Sequence, residues 1–457
     1  MRKEAIIIGG GASGALMAVH LLRAGDRSVH VTLIEKGPRI GRGIAYGTAN
    51  KAHLLNVPAG SMSAIDSEPH HFCDWLGARA DRPRTLAHPD QIRTAFVPRA
   101  LYGDYLASLL ASYGARGNAP GRLSIVHGEC VSIDESHLGV TVTLASGARH
   151  FADLAAIAAG HDLPPPRGGC YVDSWTAPAD AGVERHHRVL VIGTGLTMVD
   201  YILALESAGH QGEIVAISRR GLLPLPHRPA APLPLRDAEI PLGANASALL
   251  KWLRARVADH EADGGDWRSI VDGIRKFNQD IWRRLPTSAR QSFMRHARAW
   301  WNVHRHRLAP EIEKRMTAAL RSGHLTVMAA KVLAVEARAE GARISYRRRG
   351  ASSIETMRAD KVVDCRGVVS VPYRAVNPAV RDLLARGRAR LDPLQIGLDV
   401  TRDGAVIDRS GRTSQRLFAI GPLARAALWE ITSVPEIRRQ CAEVASRVSG
   451  LYLRSAG

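Results

Sequence analysis

Glu4-Ala-Ile-Ile-Ile8, followed by Gly9-Gly10-Gly11-Ala12-Ser13-Gly14 and an apolar run over 15–24, is the stretch whose reading decides the fold. The apolar residues 5–8 suit a first strand, and the spaced glycines after it suit a tight turn into a helix. Gly9 allows the sharp turn, Gly11 lets the backbone approach a pyrophosphate, and Gly14 lets the helix pack closely on the strand. Ser13 lies in the same first helical turn, where free N–H groups and the positive end of the helix dipole favour phosphate. A second apolar strand over 29–34 ends at Glu35, with Lys36 next. That is close to the roughly 20-residue spacing of an acid that binds a ribose hydroxyl. Together these residues predict a dinucleotide site. Met1-Arg2-Lys3 is read as the lead into the strand and not as a secretory leader, because a glycine cluster follows with no cleavage site.

The same pattern begins again at Arg188-Val-Leu-Val-Ile192. It continues through Gly193-Thr194-Gly195-Leu196-Thr197-Met198, a helix to about 207, and a strand over 213–217 that ends in Ser218-Arg219-Arg220. Met198 stands where a third glycine is usual, which loosens helix packing but leaves Gly193, Gly195 and Thr197 to make the turn and meet phosphate. Arginines stand where the first unit has its acid. A carboxylate there repels a 2′-phosphate, whereas guanidinium groups bind one in bidentate fashion. Arg219 and Arg220 therefore point to NADPH over NADH, the alternative being solvated arginines in an Arg-rich chain.

Composition narrows the classes that remain. At 457 residues the chain has room for about three domain-sized units, fewer if they are large α/β domains, and 46% hydrophobic with 23% charged residues is ordinary for a globular protein. No run approaches the roughly 18 apolar residues that span a bilayer. The net charge of +19 raises nucleic acid as a partner, but of the 62 basic residues 8 are lysine and the other 54 arginine, scattered along the whole chain. Aromatics are only 5%, too few for base-stacking platforms, so an anionic cofactor or substrate is expected and no nucleic acid. The five cysteines, Cys73, Cys130, Cys170, Cys365 and Cys441, form no C-x-x-C and suggest neither disulfides nor a metal site; they fit a reducing cytoplasm.

Two nested dinucleotide signatures imply one domain interrupted by another. The stretch from Asp153 through Gly160 to Pro164 resembles the strand and glycine turn by which flavoproteins leave the FAD domain. Lys361-Val-Val-Asp364-Cys-Arg-Gly367 resembles the matching re-entry, and Arg416-Leu-Phe-Ala-Ile-Gly421 the late strand that meets FAD. The expected fold class is α/β with two Rossmann-like dinucleotide-binding domains. A discontinuous FAD domain takes 1–165 and 360–457, and an NADPH domain takes 186–359 with a helical insertion at about 245–313.

Several strings extend the likeness. They include Gly41-Arg-Gly-Ile-Ala-Tyr-Gly-Thr48, His53-Leu-Leu-Asn-Val-Pro58, Phe96-Val-Pro-Arg99, Trp300-Trp301-Asn-Val-His304-Arg-His306-Arg307 and Trp429-Glu430 with Pro435-Glu-Ile-Arg438. On these the chain resembles the bacterial FAD-NAD(P)-binding family, which is distantly similar to the N-hydroxylating, class B-like flavoprotein monooxygenases. The resemblance implies FAD and NADPH as cofactors, with hydride passing from NADPH to FAD and oxygen then reaching a small substrate through a flavin hydroperoxide. N-hydroxylation of an amine or amino acid is the version the relatives suggest. An NADPH-dependent flavoprotein oxidoreductase with another acceptor, or a redox-sensing flavoprotein without turnover, stays open beside it. Dithiol relay lacks a C-x-x-C, and the Baeyer–Villiger fingerprint is incomplete at Gly169 to Trp175, where the Trp is present and the His is missing.

The resemblance also assigns candidate residues. The loop carrying Asn56 is placed beside the flavin ring, where its amide serves as a catalytic hydrogen-bonding group or else caps the turn before Pro58. Arg99, Gly160, Gly421 and Trp429 join the expected cofactor contacts, with a surface ion pair and ordinary core packing as the alternatives for Arg99 and Trp429. His304, His306 and Arg307, read from the residues themselves, are substrate candidates that would bind an anion, either a carboxylate-bearing substrate or the NADPH phosphates, or else form a buried structural cluster. The substrate is expected to be anionic or amine-bearing. On a helix the two histidines lie about 200° apart and cannot share a metal, so no metal is expected.

Overall fold

The computed structural model describes residues 2–24, 28–81, 86–115, 121–161, 167–338, 340–367 and 377–454. The first strand, Lys3–Ile8, has Ala5 to Ile8 fully buried and pairs in parallel on both sides, as a continuous apolar run requires. It sits inside a six-stranded sheet ordered Ala405–Ile407, Thr413–Ala419, Leu154–Ile157, Lys3–Ile8, Val29–Glu35, Leu123–His127, in which only the first-named edge strand is antiparallel. The helix Ala12–Ala24 lies on this sheet with the C-terminal helix Val434–Arg454 packed beside it. The strand at 413–419 and the helix at 434–454 return to the first unit from the far end of the sequence, so this sheet is discontinuous in the chain.

A seven-stranded sheet carries the second signature. Its parallel part runs Leu325–Ala337, Ile214–Ser218, Val189–Ile192, Lys361–Asp364, Tyr171–Val172, with Ala342–Arg348 and Glu355–Ala359 continuing antiparallel at one edge. The expected limits of 186 and 360 therefore fall inside this sheet. Val362 and Val363 are fully buried between the strands at 189–192 and 171–172, a central position their apolar character demands. The segment 361–367 closes the second unit and is not the re-entry to the first. Part of the expected exit, Asp162 to Pro164, lies outside the described residues.

A third, antiparallel sheet of Cys130–Glu135, Val140–Leu144 and Arg149–Ala152 interrupts the first unit. Helices fill the insertion: Ala246–Ala262, Trp267–Gly273, Asn278–Arg284, Thr287–Ser292, a π-helical turn Phe293–Ala297, and Arg298–Arg305. Among the described residues no helix is long and apolar enough to cross a membrane.

Candidate dinucleotide sites and the space between them

Each glycine turn is backed by the end of a neighbouring strand, and in each the first glycine is irreplaceable. Gly9 has φ +104°, and a Cβ there would lie 2.5 Å from the Ala158 carbonyl oxygen. Gly193 has φ +114°, and its Cβ would lie 2.5 Å from the Cys365 carbonyl oxygen. The backing strands both run on to glycines of positive φ, Gly160 and Gly367. Segment 361–367 is thus the second unit's counterpart of the segment ending at Gly160.

In the first turn, a Cβ on Gly14 would sit 1.8 Å from the Gly9 oxygen, so the helix can start only with glycine there. Gly11 faces Gly43, whose Cα lies 3.3 Å from where a Cβ would be, so it is tightened by the 41–47 segment. Gly421 comes from the late strand to the same place: its Cβ would meet Ser13 Oγ at 2.5 Å. Gln440, which the sequence did not single out, fixes that approach by accepting from Gly421 N at 2.8 Å and donating to Ala419 O at 2.9 Å.

Glu35 ends its strand facing the turn. Its carboxylate accepts from Gly10 N at 2.6 Å and Gly37 N at 2.7 Å, which leaves lone pairs on both oxygens for ribose hydroxyls. Lys36 points away to a surface pair with Glu129 at 3.2 Å. A Cβ on Gly160 itself would meet only open space. His161 follows; burial, and then the charge of Arg425, push its pKa down to about 4, so the imidazole is neutral.

At the second turn, Thr194 is buried and its hydroxyl donates to Leu222 O at 2.6 Å and bonds Ser218 Oγ at 2.9 Å. Gly195, exposed and with open space at its Cβ position, caps the helix Leu196–Ser207; Thr197 lies in its first turn and Met198 is buried in the core. Arg219 is exposed. Arg220 departs from expectation: it donates to the His296 carbonyl at 2.9 Å and lies over the Trp300 ring, drawn into the helical insertion. Two glycine cradles with helix N-termini, one backed by an acid and one by an exposed arginine, fit two dinucleotides.

The chain matches the FAD-NAD(P)-binding family over residues 6–162. The match covers the first cradle and implies FAD and NAD(P) as ligands. No curated protein matches the chain by sequence. Among solved structures, the fold is similar to the ornithine N-hydroxylase of Kutzneria sp. 744, with 15% identity, all of both chains covered and a TM-score of 0.67. It is similar to the L-lysine 6-monooxygenase of Pseudomonas syringae, with 16% identity, all of both chains covered and a TM-score of 0.63. It is also similar to the thioredoxin reductase of Lactococcus lactis, with 12% identity over 98% of this chain and 100% of that one, at a TM-score of 0.51. At these identities the likeness is one of fold, and the fold is that of two dinucleotide-binding units.

Between the two units the family-like loop forms a tie. Arg99 does not point at the first cradle; it clasps Asp200 on the helix Leu196–Ser207 through two bonds of 2.6 and 3.1 Å and donates Nε to Leu54 O at 3.0 Å. Asp200, 101 residues away, was invisible to local reading. His53 adds to the tie, bonding Thr48 Oγ1 at 2.8 Å and the Asp200 carbonyl at 2.9 Å. Asn56 is half-buried here, and its backbone carbonyl, not its side-chain amide, meets His227 Nε2 at 3.1 Å. His227 is held down to about pH 4 by burial and then by Arg307, which keeps it neutral and donating to Asn56.

The remaining candidates separate. Trp429 stacks on Trp282 of the insertion at 4.4 Å between ring centroids, with Phe293 edge-on at 5.5 Å, so its face serves the core. His304 bonds the Trp300 carbonyl at 2.8 Å and sits edge-on to Trp267 at 4.8 Å. His306 follows the helix Arg298–Arg305, in the environment of Glu430 and Arg305, and burial lowers its pKa to about 4. Arg307 is buried against Asp272 at 2.7 Å. These three side chains do not converge on one anion. Among the described residues no group of three His, Cys, Asp or Glu is placed to hold a metal.

Proposed function

We propose that the protein is an NADPH-dependent FAD monooxygenase acting on the amine or other nucleophilic heteroatom of a small molecule. The observation that carries this is the pair of equivalent cradles at Gly9 and Gly193, on two sheets tied through Arg99 and Asp200, in a chain whose whole length has the two-unit fold. Gly9, Gly11, Ser13, Gly14, Glu35 and Gly421 would hold FAD, and Gly193, Gly195, Thr197 and Arg219 would hold NADPH. When bound, FAD supplies hydride acceptance and oxygen chemistry; the chain orients the two dinucleotides and excludes water. Asn56, beside neutral His227, is assigned to hydrogen-bond the reacting face.

Oxygen is favoured over a disulfide as acceptor because Cys73, Cys130, Cys170, Cys365 and Cys441 are all buried and free. Burial pushes the Cys365 thiol, beside the second turn, well above its ordinary pKa, the opposite of an activated thiolate. Rapid mixing of anaerobically NADPH-reduced protein with oxygen, with and without a panel of amines and amino acids, tests the reading. One substrate should couple NADPH consumption to product, and Asn56→Ala should divert a larger share to free peroxide. Stoichiometric peroxide with every substrate would favour the plain oxidoreductase.

The preference for NADPH is assigned to Arg219. Burial, and then the like charge of Arg219, lower the pKa of Arg298, so Arg219 lies within electrostatic reach of a second guanidinium. Loss of a charge-assisted bond costs about 1.5–3 kcal/mol, so Arg219→Ala is expected to weaken NADPH about ten- to a hundredfold and spare NADH. Equal losses for both nucleotides in equilibrium titrations would mean that Arg219 does not read the phosphate.

A further inference from the structure

The helical insertion holds an open-sided cavity of about 860 Å³ that neither cradle uses. Five tryptophans line it: Trp267, Trp282, Trp300, Trp301 and Trp429. Opposite them stands the helix Ala246–Ala262, which turns Leu249, Leu253 and Val257 into the cavity and has no buried side chain along its 17 residues. Trp252 and Leu253 rest partly on the small core of Leu235, Ile240, Ile274 and Phe277, and Leu249 on that of Trp282 and Leu285, so the apolar face of this helix is shared between half-buried packing and the cavity. The volume lies in the range of about 300–1,000 Å³ typical of small-molecule sites.

The charged residues around it are two arginines, Arg220 and Arg254, and a single acid, Glu261; Asn278, His296 and His304 also line it. Arg254 is exposed and Arg220 is fixed by His296 and Trp300, so one anchored and one outward arginine flank the apolar interior. At the inner end, Asn278 and Trp301 line the cavity and also bond the buried Glu430 carboxylate, linking the cavity to the C-terminal part of the first unit. Docking of a second copy is disfavoured by charge, because each copy carries +19 and would present like charge to the rim.

We propose that this cavity binds an amphipathic carboxylate, a molecule with an aryl or alkyl body seated among the tryptophans and its acid group at Arg254 and Arg220. As a substrate site it rests on the monooxygenase reading; as a binding site it stands without turnover. The test uses the FAD-loaded full chain, tryptophan fluorescence and calorimetry, with decanoate and indole-3-propionate as probes and decylamine and L-lysine as controls.

Both acids should bind saturably in calorimetry, with decanoate about tenfold or more tighter than decylamine and no saturation by L-lysine, and decanoate should shift the tryptophan emission. Val257→Trp, on the helix without buried side chains, should weaken decanoate about tenfold or more while flavin content reports that the fold is kept. Arg254→Ala should bring decanoate and decylamine to near parity. The proposal is overturned if neither acid binds saturably, if the amine binds as well as the acid in the unaltered protein, or if the cavity proves covered by a second copy whose dimer Val257→Trp dissolves. If the acids bind as expected but no acid bearing an amine is oxidised, the site stands and the oxidation reading fails.

Discussion

Gly11→Val is expected to yield folded protein with little or no flavin. A Cβ on residue 11 would lie 3.3 Å from the Gly43 Cα, already tight, so the two methyl groups of valine must displace the 41–47 segment or fill the space where backbone meets pyrophosphate. Either route opens the first cradle without touching the strand beneath it. Gly14 would be a poorer probe, because its Cβ would strike the Gly9 oxygen at 1.8 Å and the helix start itself would fail. The flavin-to-protein absorbance ratio after purification should fall by about tenfold or more, with Gly11→Ala falling less and both variants keeping cooperative melting. Full flavin occupancy in Gly11→Val would move the FAD site away from this turn.

How far such residues can be read from sequence follows from the range of the interactions that place them. Gly9, Gly14 and Gly193 are legible because a strand, a turn and a helix within a few residues fix their backbone. Glu35 is legible because the second strand ends beside the turn. The sheet to which 361–367 belongs is not: Val362 and Val363 say only that the strand is buried on both faces, which either sheet satisfies. Arg99 reads as a cofactor ligand until Asp200 is seen, and Arg220 as a phosphate reader until His296 and Trp300 claim it. The tryptophans can be counted in the sequence, but their convergence on one cavity depends on how six short helices pack. Trp429 and Glu430 follow the same rule, since their partners in the insertion lie 125–152 residues away for Arg305, Trp301 and Asn278.

Glu430 carries the second large effect. It is buried, holds a left-handed backbone at φ 65°, and accepts from Asn278 at 2.8 Å, from Arg305 at 3.1 Å and from the Trp301 indole. Glu436 lies beside it, bonded to Arg275 at 2.8 Å and 3.6 Å from Arg305, so buried Arg305 and half-buried Arg275 face two buried carboxylates. Removing one carboxylate leaves a buried positive charge short of its partner, which costs about 3–5 kcal/mol. Glu430→Ala should lower the denaturation free energy of the FAD-loaded protein by about that amount. Glu430→Gln keeps an acceptor for Trp301 and should lose less.

Acid should expose the same cluster in the unaltered protein. Burial lowers His306 from 6.5 to about 4, so the fold favours its neutral form; that stability is complete above pH 6.5 and is lost as pH falls toward 4. Burial pushes the Glu436 carboxyl up, but Arg275, Arg305 and Ser433 outweigh it and hold it at about 2 against an ordinary 4.5. That stability is complete above 4.5 and lost as pH falls toward 2. Denaturation midpoints should therefore decline below pH 6.5, and His306→Gln should flatten the limb between 6.5 and 4. A midpoint that stays level down to pH 4, or a Glu430→Ala loss under about 1 kcal/mol, would mean that water reaches the cluster and its charges are solvated.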